Sequence, residues 1–503
     1  MLCRGQGCSL IVIPSRFLCA AGDLGEPRDV SRSLRPNNRS SGSLPCQTAP
    51  PPSLEWLSLL YLLYSFLLAA GMLLTLPYWL FQVLRHGKYH GGLAERLGRV
   101  PVRLTSVGGS VPQPGATIWL HAVSVGEVIA VSGLVEELRR RFPQQRVVVS
   151  TTTDTGQALA RKRFGEGNVF YFPMDFAFAI RPYLNALQPC LVVLAETEFW
   201  PNFLRLAQAS GARIAVVNAR ISDRSWPSYR RFRWALRRML SSVDLFLAQT
   251  SEDGTRLQSI GAEPERVKIT GNLKFDMTLR PTPPIVEDLR RSLQQAGAGP
   301  VLVCGSTVDD EEPLLLKAFE NVLVAHPNAV MILAPRHPER FGAVAGLLDQ
   351  MGTRWWQRSS WNGEPIANGV FLVDTIGELA ALYALADIAF VGGSLVPRGG
   401  HNILEPAQHG VAIVVGNHTE NFRDIVGLFQ SRDAVRIIEP TQLSLIFMEL
   451  LANEPERAAL GRRAAETVRS QTGATLRTVQ ALERLLARGQ TQLPSPAQTA
   501  HID

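Results

Sequence analysis

The sequence predicts an α/β protein in which two Rossmann-like domains face a cleft, preceded by an N-terminal membrane-anchor helix. From Pro101 onward, short apolar runs alternate with amphipathic helical patterns, which is typical of parallel sheets covered by helices. A proline-rich break at Arg280–Pro284 divides these runs into two series. Ahead of them, the stretch from Trp56 to Leu84 carries no charged side chain. One anchor and two domains follow from this arrangement.

The anchor is predicted from the length of the uncharged stretch. It is long enough to cross a bilayer core of about 30 Å, and it exceeds the apolar core of a signal peptide. A helix that lies in the membrane interface is the alternative. Basic residues both precede and follow the stretch, so the positive-inside rule leaves its orientation open. We assign 54–100 to the anchor and its membrane-proximal segment, and 1–50 to a disordered or mis-started extension.

The overall composition limits the classes of partner. The chain has 503 residues, of which 46% are hydrophobic, with a formal net charge of +7 and a pI near 9.3. This charge favours a negative partner, which can be nucleic acid, anionic lipid or a phosphorylated substrate. The densest basic stretch, Arg230–Arg238, has the pattern of an amphipathic helix, with its charges on a solvated face or a binding surface. We expect no nucleic-acid partner.

Both series of apolar runs predict strands. The first series predicts a domain at 101–280, and the second predicts a domain at 285–490 with a flexible tail at 491–503. Strands of the first domain are predicted at Thr117–Val123, Arg146–Ser150, Cys190–Ala195, Arg213–Val217 and Leu245–Ala248. Those of the second are predicted at Val301–Cys304, Ala329–Leu333, Val370–Val373, Ile388–Val391 and Ala412–Val415. Such domains bind ligands at the carboxyl ends of their strands, so we expect both substrates in the cleft.

The segment Gly392–Glu405 is the strongest candidate for an anion site. It follows an apolar run and carries two glycine pairs, an arginine, and Asn402 and Glu405 at the start of a predicted helix. Backbone amides and the positive helix end would converge on one crevice that suits a nucleotide phosphate. The structural alternative is a capping box between Asn402 and Glu405, with turn glycines and His401 as a loop histidine.

Glu127 directly follows the first predicted strand and begins a helix that runs toward Arg141. We expect its carboxylate to face the cleft, exposed and ionised, as a general base requires. The alternative is a first-turn acid that interacts favourably with the helix dipole.

Glu196 and Glu198 follow another strand. Residues two apart in an extended chain point to the same side, so both carboxylates can face the crevice. In the alternative, Glu198 precedes a helix with Pro201 in its first turn, and Glu196 is a structural hydrogen-bond acceptor.

Lys274 and Arg336 are the basic candidates, because each comes just after an apolar run. Either could neutralise a phosphate and stabilise the charge that grows on a leaving group. Surface charge is the alternative for each. The turn Asp374–Glu378 opens a helix after a strand and offers further amides to the same crevice.

Cysteine usage indicates a reducing compartment. Of the six cysteines, only Cys190 and Cys304 lie beyond the first fifty residues, both in strand-like runs, and no CxxC motif or zinc spacing is present. We therefore expect a cytoplasmic, metal-free catalytic body.

Six motifs, taken together and in order, resemble those of the 3-deoxy-D-manno-oct-2-ulosonic acid (Kdo) transferases of lipopolysaccharide synthesis. They are HAVSVGE at His121–Glu127, ETEFWPN at Glu196–Asn202, NAR at Asn218–Arg220, GNLKFD at Gly271–Asp276, PRHPER at Pro335–Arg340 and GGSLVPRGGHN at Gly392–Asn402. The resemblance extends from about Leu57 to the last predicted helix, and six ordered motifs are far more specific than any one of them.

The resemblance implies a glycosyltransferase of the GT-B type at the bacterial inner membrane, with its catalytic domains on the cytoplasmic face. The first domain would bind the acceptor and the second the donor. The implied donor is CMP-Kdo, the implied acceptor is the anionic lipid A precursor (lipid IVA), and inner-membrane lipids are further partners. The implied reaction is an inverting transfer that uses no metal ion and no cofactor.

The resemblance also implies residue roles by motif position. Glu127 would be the proton acceptor, and Glu196 and Lys274 would stabilise the transition state. The implied CMP-binding residues are Pro335, Arg336, Ile376, Gly377, Glu378, Asn402, Ile403, Leu404 and Glu405. Closure of the two domains would bring the base and the phosphate-binding residues together.

The sequence departs from the family pattern at few positions. Residues 1–50 have no counterpart, Asn272 stands where some relatives carry serine, and Ile376 replaces a methionine. Two rival functions stay open at this point: a sugar-nucleotide epimerase on the same fold, and a non-catalytic nucleotide-binding membrane protein. The apolar stretch disfavours the first, and the intact charged residues disfavour the second.

Overall fold

The computed structural model describes residues 54–86, 92–105, 117–223, 225–276 and 283–490, with 54–60, 78–86 and 488–490 described by backbone only. The predicted extension at 1–50 and tail at 491–503 lie outside these residues. The chain divides into two compact units: one extends to Lys274 and resumes at Gly473, and the other is Phe275–Thr472.

The first unit contains a seven-stranded sheet in the order β3-β2-β1-β4-β5-β6-β7, with every described pair parallel. Its strands are β1 Thr117–His121, β2 Arg146–Thr151, β3 Val169–Tyr171, β4 Pro189–Ala195, β5 Arg213–Ala219, β6 Leu245–Ala248 and β7 Val267–Ile269. Successive side chains point to opposite faces, so Trp119 and Leu120 are both fully buried but in different apolar layers.

The second unit repeats this architecture, with a seven-stranded parallel sheet in the order β10-β11-β9-β8-β12-β13-β14. Its strands are β8 Val301–Thr307, β9 Val330–Pro335, β10 Trp355–Gln357, β11 Gly369–Leu372, β12 Ile388–Val391, β13 Ala412–Gly416 and β14 Arg436–Ile438. The interior strands are buried runs of Val, Ile, Leu and Phe, as expected for a sheet covered on both faces.

Helices connect the strands and cover both sheets. In the first unit they are α1 Leu54–His86, α2 Leu93–Arg96, α3 Val102–Thr105, α4 Val125–Ala130, α5 Ser132–Arg141, α6 Asp154–Phe164, α7 Ala177–Leu187, α8 Pro201–Ala209, α9 Trp226–Arg231, α10 Arg233–Leu240 and α11 Ser251–Ser259. In the second unit they are α12 Pro284–Gln295, α13 Glu312–Ala325, α14 Phe341–Gln350, α15 Leu379–Leu382, α16 Leu404–Gln408, α17 Arg423–Ser431, α18 Leu443–Ala452 and α19 Glu454–Gln471.

The last helix, α20 Ala474–Gln490, belongs to the first unit, although the predicted second domain extended to residue 490. The reason is apolar packing: Val479 and Leu482 are fully buried in the same layer as Leu120 and Leu134. The chain therefore ends by returning to the unit that contains its N-terminal helix.

The ten predicted strands are confirmed, whereas the four strands at the sheet edges were not predicted. Each edge strand, at Val169–Tyr171, Val267–Ile269, Trp355–Gln357 and Arg436–Ile438, has only three residues. Such short runs are hard to distinguish from loops, because they lack the long β-branched stretch that identifies a buried strand.

The uncharged N-terminal stretch forms the helix α1, and the structure describes the side chains of its residues 61–77. Within the described residues, no helix is both long enough and apolar enough to cross a membrane. The membrane anchor therefore stays a prediction.

Candidate active site

The candidate residues of the first unit follow the carboxyl ends of its strands. The helix that carries Glu127 begins after β1, Glu196 follows β4, and Lys274 follows β7 after a short loop. These strands are parallel members of one sheet, so their carboxyl ends meet at one edge. The sequence places the three candidate residues at that edge.

Glu127 is held by the start of its own helix. Its Oε2 accepts the Val123 amide at 2.7 Å, and its Oε1 accepts the Ser124 hydroxyl at 3.0 Å. Ser124 is the N-cap residue of α4 and accepts the Glu127 amide in return. The helix ends at Ala130, and a second helix, α5, continues to Arg141. The capping contacts therefore fix the carboxylate in one orientation.

The expectation of an exposed, ordinary carboxylate at Glu127 is wrong. The residue is only 8% exposed, and its burial raises the pKa of the carboxyl well above the usual range, with repulsion from Glu196 and Glu198 adding to the effect. The hydrogen bonds from Val123 and Ser124 oppose this rise. A carboxylate with a raised pKa is a stronger base once it is deprotonated.

Glu196 forms an ion pair with Lys274. Its Oε1 lies 3.6 Å from Lys274 Nζ, and both side chains are partly exposed. The Glu196 backbone has φ 57°, in the left-handed region that non-glycine residues seldom occupy, and its amide donates to Val217 O at 2.9 Å. This backbone conformation turns the chain sharply at the end of β4.

Glu198 lies close enough to Glu127 to repel its charge. Burial, followed by repulsion from Glu196, raises the pKa of Glu198 to about 7. Glu196, Glu198 and Glu127 thus lie close enough to influence one another's charge, and a crevice that they share stays a prediction. Three neighbouring carboxylates and one lysine form what we call the carboxylate cluster of the first unit.

The loop that carries Lys274 is fixed by three side chains. Asn218 Oδ1 accepts the Leu273 amide at 2.9 Å, and Asn272 Oδ1 accepts the Lys274 amide at 3.0 Å. Arg477, on the returning helix α20, donates from Nε to Thr270 O at 2.8 Å. None of these three side chains was predicted from the sequence to position the loop.

In the second unit, Glu311 organises the glycine-rich segment. Its carboxylate accepts the amides of Gly393 at 2.7 Å, and of Ser394 and Leu395 at 2.9 Å each. The Val308 amide donates to the same group at 3.1 Å. Glu311 is fully buried, and its burial raises the pKa of the carboxyl while the four amides oppose that rise.

These contacts correct the expectation for the first half of the glycine-rich segment. The Gly392 amide donates to Gly305 O at 2.8 Å, and the next three amides donate to Glu311, so none of the four is directed at an external anion. Further along, the Gly400 amide donates to Gly393 O at 2.7 Å. The buried Glu311 carboxylate therefore accepts amides that we expected to bind a nucleotide phosphate.

Arg336 and His401 approach each other. Arg336 follows β9, is exposed, and donates its amide to Thr307 O at 2.8 Å. Burial, together with the nearby charges of Arg336 and His337, lowers the pKa of His401 to about 4. The buried Nε2 of His401 has no hydrogen-bond partner among the described residues. A neutral imidazole and an exposed guanidinium therefore share one region.

The predicted CMP-binding residues differ in what they can offer a ligand. Ile403 and Leu404 are buried in an apolar layer, so only their backbones are available. Asn402 Oδ1 accepts the Leu404 amide at 3.1 Å, and Asn402 Nδ2 donates to Glu405 Oε1 at 3.3 Å. The predicted helix is the short α16. The capping interpretation of Asn402 and Glu405 is thus partly right.

Glu378 is engaged by Arg358, whose Nη2 and Nε donate to its two oxygens at 2.9 and 3.1 Å. Ile376 is 69% exposed, and Gly377 has φ 98°, a conformation that favours glycine. A ring nitrogen of His409, just after α16, lies 2.9 Å from Ala380 O and joins this segment to the one that ends in Glu405. In the described residues, no group of three or more His, Cys, Asp or Glu side chains is suited to hold a metal ion.

Comparison with known proteins identifies a family resemblance. Residues 91–277 match the family model described as 3-deoxy-D-manno-octulosonic-acid transferase (kdotransferase). A 3-deoxy-D-manno-octulosonic acid transferase of Haemophilus influenzae is 35% identical over 405 residues, covering 80% of this chain and 93% of the relative. That of Bordetella pertussis is 37% identical over 418 residues, covering 79% and 94%.

A solved UDP-N-acetylglucosamine 2-epimerase has a similar fold, with a TM-score of 0.52 over 77% of this chain and 100% of its own. Its sequence identity is 13%, so the similarity concerns the fold alone.

Proposed function

This chain belongs to the 3-deoxy-D-manno-octulosonic acid (Kdo) transferase family, and we propose that it moves Kdo from CMP-Kdo to the lipid A precursor with inversion and without a metal ion. It is a glycosyltransferase. The acceptor, the stereochemical course and the residue roles are the proposed parts.

Glu127 is the proposed general base. The acceptor hydroxyl, on the distal glucosamine of the lipid, attacks the anomeric carbon of Kdo, and its proton passes to the Glu127 carboxylate. The bond between that carbon and the CMP phosphate oxygen breaks, and its electron pair leaves with CMP. The capping contacts from Val123 and Ser124 support this role, because they hold the carboxylate in one orientation before the substrate arrives.

Lys274 and Glu196 are the proposed stabilisers of the transition state. Lys274 supplies a compact positive charge to the negative charge that develops on the leaving group. The ion pair with Glu196, at 3.6 Å, restrains the flexible lysine side chain. Asn218 and Asn272 hold the backbone amides of Leu273 and of Lys274 itself, which reduces the reorganisation needed during the reaction.

The second unit is the proposed donor-binding unit. Arg336 offers an exposed guanidinium to the CMP phosphate, and Asn402 and Gly377 lie in segments that offer polar and backbone groups to the nucleotide. Glu311 holds the glycine-rich segment and accepts three of its backbone amides, so those amides are not free to bind a phosphate. Arg336 is therefore the main source of positive charge in this proposal.

Attachment to the inner membrane through α1 is also proposed, with the catalytic units on the cytoplasmic face. Leu62, Phe66 and Leu73 on α1 are each at least 65% exposed, and burial of such side chains in a bilayer is favourable. Such an attachment would bring the enzyme to a lipid acceptor.

The Lys274–Glu196 ion pair beside the buried Glu127 is the observation that carries the proposed mechanism. The test is incubation of the full chain in detergent with CMP-Kdo, generated in situ, and tetra-acylated lipid A precursor. Mass spectrometry should show one or more Kdo increments on the lipid, and CMP release should match them. Activity should survive addition of EDTA.

Two controls make this test decisive. Omitting the lipid separates transfer from spontaneous hydrolysis of the donor. With folded protein and lipid present, CMP release no faster than without the lipid and no gain in lipid mass would contradict the proposed donor and acceptor. Loss of activity with EDTA, restored by a divalent cation, would contradict the metal-independent reaction alone. The rival epimerase function rests on fold similarity at 13% identity, which does not establish an activity.

A further inference from the structure

A cavity of about 600 Å³ lies in the first unit, between the N-terminal helix and helices α8 and α10. Tyr61, Leu62 and Ser65 of α1 line one side of it. Arg205 of α8 and Arg238 of α10 line the other. The Asn202 side chain donates to Ser65 Oγ at 2.9 Å and fixes the distance between the two walls. The volume is within the usual range for a small-molecule site.

Two arginines line the cavity, and among the described residues neither is held by an ion pair. In the part of the chain that the structure describes, neither Arg205 nor Arg238 has a carboxylate within ion-pair distance. The Arg205 guanidinium lies 4.9 Å from the centre of the Tyr61 ring, and its buried Nε has no hydrogen-bond partner among those residues. Two cations in one partly enclosed space favour an anionic ligand, and a guanidinium suits a phosphate in particular.

Asp175 and Arg205 interact electrostatically, although they form no ion pair, and Arg205 lowers the pKa of Asp175. Asp175 is fully buried, and its two oxygens accept the amides of Asn202 and Phe203 at 3.1 and 2.7 Å. These contacts hold Asp175 at the first turn of α8, where it offsets part of the charge of Arg205 without forming an ion pair with either arginine.

The surroundings of the cavity indicate what kind of anion fits. Leu62, Leu63 and Phe66, on the helix that forms one wall, are 65%, 53% and 68% exposed. On α10, Trp234 is 64% exposed, and tryptophan is enriched at the boundary between water and lipid. Cationic side chains beside an apolar helix face match an anionic headgroup attached to acyl chains.

We propose that this cavity binds the phosphate headgroup of an anionic bilayer phospholipid, with Arg205 and Arg238 contacting the phosphate and the acyl chains lying along α1. The proposal rests on the proposed membrane attachment but not on the transfer reaction. It assigns a lipid site separate from the carboxylate cluster.

The test uses the full chain in a mild non-ionic detergent, without donor or acceptor. Short-chain phosphatidylglycerol is titrated and binding is measured by isothermal titration calorimetry, with phosphatidylcholine of the same chain length and inorganic phosphate as comparison ligands. The double variant Arg205→Gln/Arg238→Gln should weaken phosphatidylglycerol binding at least about tenfold, since two charge-assisted contacts are lost. The matched control Arg231→Gln/Arg233→Gln removes the same charge from exposed positions outside the cavity and should change binding by less than about twofold.

A second variant protects the test against misfolding. Ser241→Trp keeps both arginines and adds bulk at an exposed position that lines the cavity, so it should also weaken binding. Equal losses in the cavity and control variants would overturn the proposal in favour of general surface charge. Equal affinity for inorganic phosphate would overturn the assignment to a lipid. The lipid A precursor is titrated in a separate experiment, and binding of that lipid but not of phosphatidylglycerol, lost in the cavity variants, would overturn the proposal and reassign the cavity to the acceptor. Kdo transfer, measured separately, tests the proposed function without reference to this site.

Discussion

The Gly393 amide donates to the buried carboxylate of Glu311 at 2.7 Å, across 82 positions of sequence. Ser394 and Leu395 donate to the same group, so a single side chain receives three successive amides of the glycine-rich segment. A bound anion commonly occupies such a row of amides, and here the protein supplies its own. Glu311 thereby determines the shape of a segment that the family resemblance connects with the nucleotide.

Replacing Glu311 should weaken both the fold and donor binding. In Glu311→Gln an amide NH₂ replaces one acceptor oxygen and faces backbone N–H groups, which costs about 2–3 kcal/mol of unfolding free energy. Displacement of the segment should raise the dissociation constant for CMP several-fold. Chemical denaturation and CMP titration measure the two effects. Glu320→Gln, exposed on the same helix α13, is the matched control and should change neither. Unchanged stability in Glu311→Gln would contradict the role of this carboxylate.

Glu127→Ala should abolish most of the transfer while leaving CMP binding intact. Loss of a general base is expected to lower kcat at least about a hundredfold. Single-turnover transfer and CMP titration separate chemistry from binding. Glu136→Gln, an exposed acid on the next helix, removes one charge without touching the cluster and should keep full activity. If Glu127→Ala turned over at the normal rate, Glu127 would have no part in the mechanism.

The pH dependence of kcat/KM should show the raised pKa of Glu127. A base acts only when deprotonated, so activity should rise with pH through a range above that of an ordinary glutamate. Repulsion from Glu198 contributes to the raised pKa of Glu127, and the pKa of Glu198 itself is about 7. In Glu198→Gln that repulsion is removed, the pKa of Glu127 falls, and the acid limb should move to lower pH. If the acid limb of the kcat/KM profile stayed in place or moved to higher pH in Glu198→Gln, it would reflect the titration of a group other than Glu127.

Lys274→Gln should reduce catalysis much more than stability. The ion pair with Glu196 is partly exposed, so its loss should change the unfolding free energy by less than about 1 kcal/mol. Removal of a positive charge that acts on the transition state should lower kcat by about tenfold to a thousandfold. Lys268→Gln, an exposed lysine on β7, is the control for charge alone. A parallel loss of kcat and stability would instead indicate a structural lysine.

The interior of the fold could be predicted from the sequence because interior strands are long and continuously apolar. Val301–Cys304 and Ile388–Val391 lie within such runs, and both are buried in the second sheet. The edge strands could not be predicted, because three residues carry too little periodicity. The last helix was assigned to the wrong unit, because which core the apolar face of α20 joins depends on contacts distant in sequence.

The structure brings together three candidate residues that were predicted from the sequence, but their environment was not predicted. The motifs identified Glu127, Glu196 and Lys274, yet the burial of Glu127 depends on packing that no local pattern encodes. Glu311 has the local sequence of an ordinary acid before a helix, and three of its four amide donors are more than eighty positions away. Asn218 was part of a motif, but its positive φ and its contact with the Lys274 loop became visible only in the structure.

Asn218 offers the sharpest test of how the lysine loop is held. Its φ is 54°, which asparagine tolerates better than alanine, and its Oδ1 accepts the Leu273 amide. Asn218→Ala loses the hydrogen bond from Leu273 and places a less tolerant residue at the positive φ, so the unfolding free energy should fall by about 2–4 kcal/mol. The kcat should also fall, because Lys274 loses its position.

Asn218→Gly separates these two contributions, because glycine accepts the positive φ but cannot replace the hydrogen bond. Its stability should lie between those of the original protein and Asn218→Ala, while its kcat should be as low as that of Asn218→Ala. This result would assign the catalytic effect to the hydrogen bond from Leu273 rather than to backbone strain. Full activity in Asn218→Gly would show that the loop holds Lys274 without Asn218, leaving Asn272 and Arg477 as its supports.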